Sequence, residues 1–225
     1  MKEFNVSRRD LTTLVGIDFP DDVEILNCSH NLLTDLEGCP PTVKELICPS
    51  NRLSTLSGCP LHVEFLNCFG NRLTSLEGCP AHAKIVHCEF NHLTSLFGCP
   101  ASVKKLYCDT NELINLQGYP PTVQVLDCNN NKLTSLSDCP SSVQDLYCDG
   151  NSLNAEYQGK TLKQIHQINR FKAYQRGILK LNSIIFSTRI QRWWKYHYYD
   201  KVNAEGLSLF CLRSINDSRR MGIIN

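Results

Sequence analysis

Apolar residues recur along this chain with a period of twenty. Val63–Pro80 reads VEFLNCFGNRLTSLEGCP, Val43–Pro60 reads VKELICPSNRLSTLSGCP, and Val103–Pro120 reads VKKLYCDTNELINLQGYP. From Val23 onward the unit is V-x-x-L-x-C-x-x-N-x-L-x-x-L-x-G-C-P-x-x, with Ala83 the one departure at the first position. Leu-x-Cys alternation over a few residues predicts a short strand with one face inward. A unit of this length cannot bury its apolar face alone, so neighbouring units stack and bury it for one another. Twenty residues leave no room for a helical return, and proline after Gly-Cys favours an extended, polyproline-like path. The asparagines Asn31, Asn51, Asn71, Asn91, Asn111, Asn131 and Asn151 stand at a bend, where a side-chain amide can satisfy backbone groups and form a ladder.

The segment L-x-x-L-x-L-x-x-N-x-L, here with Val at its first and Cys at its third apolar position, resembles the leucine-rich repeat. The short unit is similar to the repeats of secreted bacterial effectors, and the Gly-Cys-Pro variant resembles leucine-rich-repeat proteins of giant DNA viruses. The resemblance implies an α/β solenoid: a right-handed stack with one parallel sheet of about eight short strands, an irregular convex side, and a C-terminal helical region. Three parts are expected. Residues 1–22 form a divergent capping repeat, with Met1, Phe4, Val6, Leu11 and Leu14 in core positions and Ile17-Asp18 as a two-residue insertion. Residues 23–153 form the solenoid. Residues 154–225 form a basic helical region, opening on the stripe Leu162, Ile165, Ile168, Phe171, Tyr174, Ile178, Leu181 and Ile185. Its first helix is expected to cap the last strand.

Composition changes the picture in two respects. The net charge of +1 conceals a balance of −8 over residues 1–151 and +9 over residues 152–225, which suggests different partners for the two segments. Seven of the thirteen cysteines sit one per unit at one repeat position, and five at a second. Cysteines locked to a repeat register serve as small buried hydrophobes, so reduced thiols are expected rather than a disulfide framework. They recur without a C-x-x-C pair, so neither zinc nor any other cofactor is expected. Residues 1–10 lack an apolar segment of signal-peptide type, and no apolar run reaches the length of a membrane span. Together these predict a cytoplasmic protein, of a host cell if the effector resemblance holds.

Residues flanking the buried Leu and Cys of each strand are released from core duty, and their types carry the functional information. Ile47, Phe65, Phe69, Ile85, His87, Phe90 and Tyr107 would form an apolar and aromatic patch on the concave face. Asp109, Asp127, Asp145 and Asp149, with Glu89 nearby, would form an acidic end, and Tyr147 belongs to the same concave face. This surface suits a protein partner with an apolar knob and basic residues beside it, and its acidity argues against nucleic acid. A second reading centres on the tail: Ile190, Gln191, Trp194 and Lys195 resemble the start of an IQ motif, which implies a calmodulin-like partner. A third is a ubiquitin-ligase-type effector, which would require a reactive Cys211, though the tail has no recognisable ligase motif. No Ser/His/Asp arrangement, phosphate loop or HExxH is present, so no catalysis is expected.

Overall fold

The computed structural model describes residues 2–187. Eight strands form one parallel sheet in chain order: β1 (Lys2–Asn5), β2 (Val23–Asn27), β3 (Glu45–Ile47), β4 (Phe65–Asn67), β5 (Ile85–His87), β6 (Lys105–Tyr107), β7 (Val125–Asp127) and β8 (Asp145–Tyr147). A helix, α1, follows at Leu162–Ser187. The register advances by one unit per strand, as in Leu46↔Leu66 and Leu66↔Val86, so equivalent residues lie directly beside one another. Each three-residue strand from β3 to β7 buries its central side chain and leaves its two neighbours on the outer face.

The core is a set of columns. Val23, Val43, Val63, Ala83, Val103 and Val123 are fully buried, as are Leu26 to Leu126, Cys28 to Cys128, and the paired leucines after each asparagine from Asn31 to Asn131. The first unit follows the same plan, with Val6 and Leu14 buried and Phe4 paired with Leu26. Ile17 closes a turn on Leu14 just as Cys39 closes one on Leu36. The two extra residues are therefore Asp18 and Phe19, not Ile17 and Asp18. Phe19 uses the extra length to pack edge-on against Phe4, with centroids 5.4 Å apart.

The return path is irregular and consists of two consecutive β-turns. In one unit Cys39 N–H donates to Leu36 C=O and Val43 N–H to Pro40 C=O. The first turn takes a left-handed glycine in every unit except at Asp138, where the same turn bond forms without a positive φ. Gly58 has φ +80°, and a Cβ there would lie 2.4 Å from the backbone of the preceding unit.

The asparagine ladder is continuous. Each Oδ1 accepts the leucine N–H of the preceding unit, from Leu33 to Asn51 through Leu133 to Asn151, at 2.9–3.1 Å. Each Nδ2 donates to the carbonyl of its own cysteine residue and to that of the preceding unit. Asn71, for example, reaches Cys68 at 3.0 Å and Cys48 at 3.1 Å. At the first rung Asn31 serves Arg9 N–H, Leu11 N–H and Val6 C=O, so Arg9 enters the ladder through its backbone while its guanidinium donates to Asn5 C=O at 3.0 Å.

The last rung is closed by residues outside the repeat. Leu146 and Cys148 are half-buried, and Ile165 of α1 is buried beside them, with Leu162 and Ile168 packed on the core. Tyr157, 1% exposed, fills the end of the core next to the position where Glu156 replaces a leucine. Its hydroxyl donates to Asn169 Oδ1 at 2.9 Å, and Asn169 Nδ2 donates to Leu136 C=O at 2.7 Å. The described residues divide into two compact units between Asn169 and Arg170. In the second, Phe171 and Tyr174 are exposed and Ile178 is half-buried, so the described part of the stripe expected for α1 is covered chiefly over its first two turns.

Two outcomes are expected. Asn71→Ala strands the buried Leu53 N–H and removes one of the two asparagine donors from each of the Cys48 and Cys68 carbonyls, and should lower the urea-unfolding free energy by about 2 kcal/mol. The twelve described cysteines are free. Burial pushes the Cys28, Cys59, Cys99 and Cys139 thiols up to about 12. Because the folded pKa exceeds the unfolded one, this stability is complete below about pH 9 and is lost as pH rises toward 12. Each such thiol removes about 1.4 kcal/mol per pH unit in that window. Urea midpoints measured from pH 8 to pH 11 should fall steeply above pH 9.

Candidate functional site

The outer face of the sheet carries three columns whose members are set by strand register. The first runs Ile25, Glu45, Phe65, Ile85, Lys105, Val125, Asp145; the second runs Asn27, Ile47, Asn67, His87, Tyr107, Asp127, Tyr147. The third, one residue beyond each cysteine, runs Ser29, Pro49, Phe69, Glu89, Asp109, Asn129, Asp149. Ile47, Phe65, Ile85, His87, Tyr107, Asp109 and Asp127 are half-buried, while Phe69, Phe90, Asp145, Tyr147 and Asp149 are exposed. Ser29 departs from the expectation for its column: it is buried, with its hydroxyl donating to Asn27 Oδ1.

The aromatic side chains form two contacts groups. His87 and Tyr107 stack nearly coplanar, with centroids 4.3 Å apart and an interplanar angle of 6°. Phe65 leans on the other side of His87 at 5.7 Å. Phe69 and Phe90 pair separately at 5.0 Å. Ring pairs at such distances hold one another in place, so these side chains present a preformed apolar surface.

Phe90 occupies an unusual backbone position. The residue before each ladder asparagine turns into the left-handed region, and at this site the other units of the solenoid use His30, Ser50, Gly70, Thr110, Asn130 and Gly150. Phe90 has φ +54°. The left-handed conformation costs an ordinary L-residue about 1–2 kcal/mol. Its N–H to Asp109 C=O bond is 3.2 Å, against 2.7–3.0 Å at the equivalent bonds from His30 to Asn130. The sequence signal was present in the position of Phe90 within the unit, but the backbone conformation of that position was not.

Glu89 is largely enclosed on this face, with its side chain 13% exposed. His87 Nδ1 hydrogen-bonds its Oε1 at 2.9 Å, which fixes the imidazole for stacking. Its Oε2 is buried and meets no donor among the described residues. Asp127 lies among other carboxylates, and burial raises its pKa, with Asp109 and Glu89 acting in the same direction. The Asn129 N–H donates to Asp127 Oδ1 at 3.2 Å and offsets part of that rise. The structure thus brings the aromatic group and the acidic group onto one face, the first on β4–β6 and the second on β6–β8 and the residues just beyond them.

Ile190, Gln191, Trp194 and Lys195 of the IQ-like segment, and Cys211, lie outside the described residues. No helix among the described residues is long and apolar enough to cross a membrane. No three of the described His, Cys, Asp and Glu side chains are grouped so as to hold a metal ion.

Searches of protein-family models and of curated proteins found no match. Solved structures do match. The leucine-rich-repeat domain of a Shigella effector is 26% identical with a TM-score of 0.57, over 68% of this chain and 71% of that one. YopM from Yersinia enterocolitica is 27% identical with a TM-score of 0.54, over 60% of this chain. That match spans 30% of the YopM chain. With its twenty-residue period and eight-stranded parallel sheet, the fold is that of a leucine-rich-repeat solenoid, similar to these bacterial effector structures.

Proposed function

We propose that the chain is a non-catalytic recognition module that binds a protein partner on the outer, concave face of its sheet. The observation that carries this reading is the retained strain at Phe90. A half-exposed phenylalanine is held in a left-handed backbone where the other solenoid units use smaller or polar residues, and it is paired with the exposed Phe69. Strain of this kind marks functional positions when the surrounding structure imposes it. The ladder bonds on either side of Phe90 do so here, from Leu73 to Asn91 and from Leu93 to Asn111. Aromatic clusters on an otherwise polar surface supply the anchors of protein interfaces. Ile47, Phe65, Phe69, Ile85, Phe90 and the His87–Tyr107 stack would receive an apolar element of the partner. Asp109, Asp127, Asp145 and Asp149 would face its basic residues. The effector-type neighbours support an interaction scaffold in general terms, and twelve free thiols support a reducing compartment.

Two measurements check this reading. A photo-reactive phenylalanine analogue at position 69 should crosslink a protein partner in cell extract, whereas the same group at Leu61, exposed on the return turn, should not. Equal crosslinking at the two sites would overturn the assignment. The strain at Phe90 is separable from its contact with Phe69. The two terms, about 1–2 kcal/mol of strain and about 0.5–1.5 kcal/mol of ring contact, nearly cancel, so Phe90→Gly should leave stability almost unchanged. In a Phe69→Ala background, where the contact is already gone, Phe90→Gly should stabilise by about 1 kcal/mol in urea unfolding.

A further inference from the structure

We propose that Tyr107, Asp127 and Tyr147 form a notch that takes the guanidinium of an arginine side chain presented by the protein partner. This rests on the outer sheet face being the binding surface and adds the chemistry of one contact. The three residues occupy one column on successive strands, with Tyr107 paired to Asp127 and Asp127 to Tyr147. One face of the Tyr107 ring lies flat on His87 of β5, which turns the opposite face toward the strand of Asp127. Adjacent strands are about 4.8 Å apart, so the tyrosines stand about 9.6 Å apart with the carboxylate between them. A cation midway would lie about 4.8 Å from either residue, inside the roughly 6 Å range of cation–π attraction.

The charge at this spot has no counterpart in the described chain. Asp109 flanks the notch on one side, with Oδ2 accepting only the Thr110 hydroxyl, and Asp145 and Asp149 are exposed on the last rung. Asp127 spends Oδ1 on the Asn129 N–H. Glu89, one rung before Tyr107, has its buried Oε2 without a donor. Lys105, the basic residue of the neighbouring column, is exposed, and among the described residues no lysine or arginine pairs with any of these carboxylates. The carboxylates are not grouped as a metal site. What remains is a slot with an aromatic residue on two sides and carboxylates at its floor and rim. A planar guanidinium can stack on a ring and donate to a carboxylate at once, whereas an ammonium offers a compact, strongly hydrated charge.

The test follows the Tyr107 and Tyr147 ring protons by NMR in the full-length protein as N-acetylarginine amide is added. Both rings should shift saturably. N-acetylcitrulline amide, the neutral isostere, and N-acetyllysine amide should bind at least about tenfold more weakly. Asp127→Asn keeps an acceptor for the Asn129 N–H and should abolish the arginine response without unfolding the protein, as checked by its unchanged urea midpoint. Absence of a saturable shift, an equal response to citrulline or lysine, or a response surviving in Asp127→Asn would overturn the notch. Failure here while position 69 still crosslinks a partner removes the arginine contact alone. Failure of the crosslink removes the parent reading.

Discussion

Everything on this molecule's surface depends on one constraint: a chain that turns back every twenty residues must satisfy the backbone groups at the bend without water. The asparagine side chain does this with its donor and acceptor used together. Its Oδ1 takes the leucine N–H of one unit, and its Nδ2 bridges the cysteine carbonyls of two. Every interior rung therefore holds its neighbour by hydrogen bonds as well as by the stacked Val, Leu and Cys columns. Satisfaction of these groups matters more than the mean strength of the bonds, because an orphaned buried donor or acceptor carries its full desolvation penalty. The thiols fit the same logic. Cys48, Cys68, Cys88, Cys108 and Cys128 each donate through Sγ to a carbonyl of the next unit, so the column is part of the inter-rung bonding and not only filler.

With the backbone fixed this way, residues on the outer face are free of structural duty, and the chain uses that freedom unevenly. The first rungs carry a mixture of small, polar and aliphatic residues. The middle rungs carry interlocked rings, and the last carry carboxylates. The Phe90 position shows that the arrangement is maintained at some cost. Seven neighbouring bends, including Arg8 in the first unit, adopt the same left-handed turn, and the aromatic one has the longest bond to the following unit among those from His30 to Asn130. An enclosed Glu89 oxygen without a donor is a second local cost on the same face. Both costs lie where the aromatic and acidic regions meet.

The solenoid was legible because its determinants repeat. Val, Leu, Cys, Asn and Gly each returned at a fixed interval, and stacking turns sequence period directly into spatial columns. What repeats once or not at all was harder to read. Tyr157 and Asn169, which close the last rung, belong to no column, and only the loss of leucine at Glu156 hinted that something else had to fill that space. The boundary of the first insertion is ambiguous by one residue in sequence, because Ile17 reads either as an extra residue or as the turn residue that it is. Side-chain order on the outer face was partly legible: membership of each column followed from the period. The His87–Glu89 bond, the flat His87–Tyr107 stack and the burial of Ser29 depend on rotamers and local packing, which no period encodes.

The central claim is that scaffold and recognition surface are separable, the first held by the ladder and the second written on it. Amide hydrogen exchange tests this most directly, in the wild type and in a variant with Phe65, Phe69, Phe90 and Tyr107 all replaced by threonine. If the claim holds, the ladder amides of Leu53, Leu73, Leu93 and Leu113 exchange only through global unfolding in both proteins, with the same protection relative to the global stability of each. Rapid local exchange of Leu73 and Leu93 in the variant would contradict it, and would show that the aromatic side chains hold the middle rungs together.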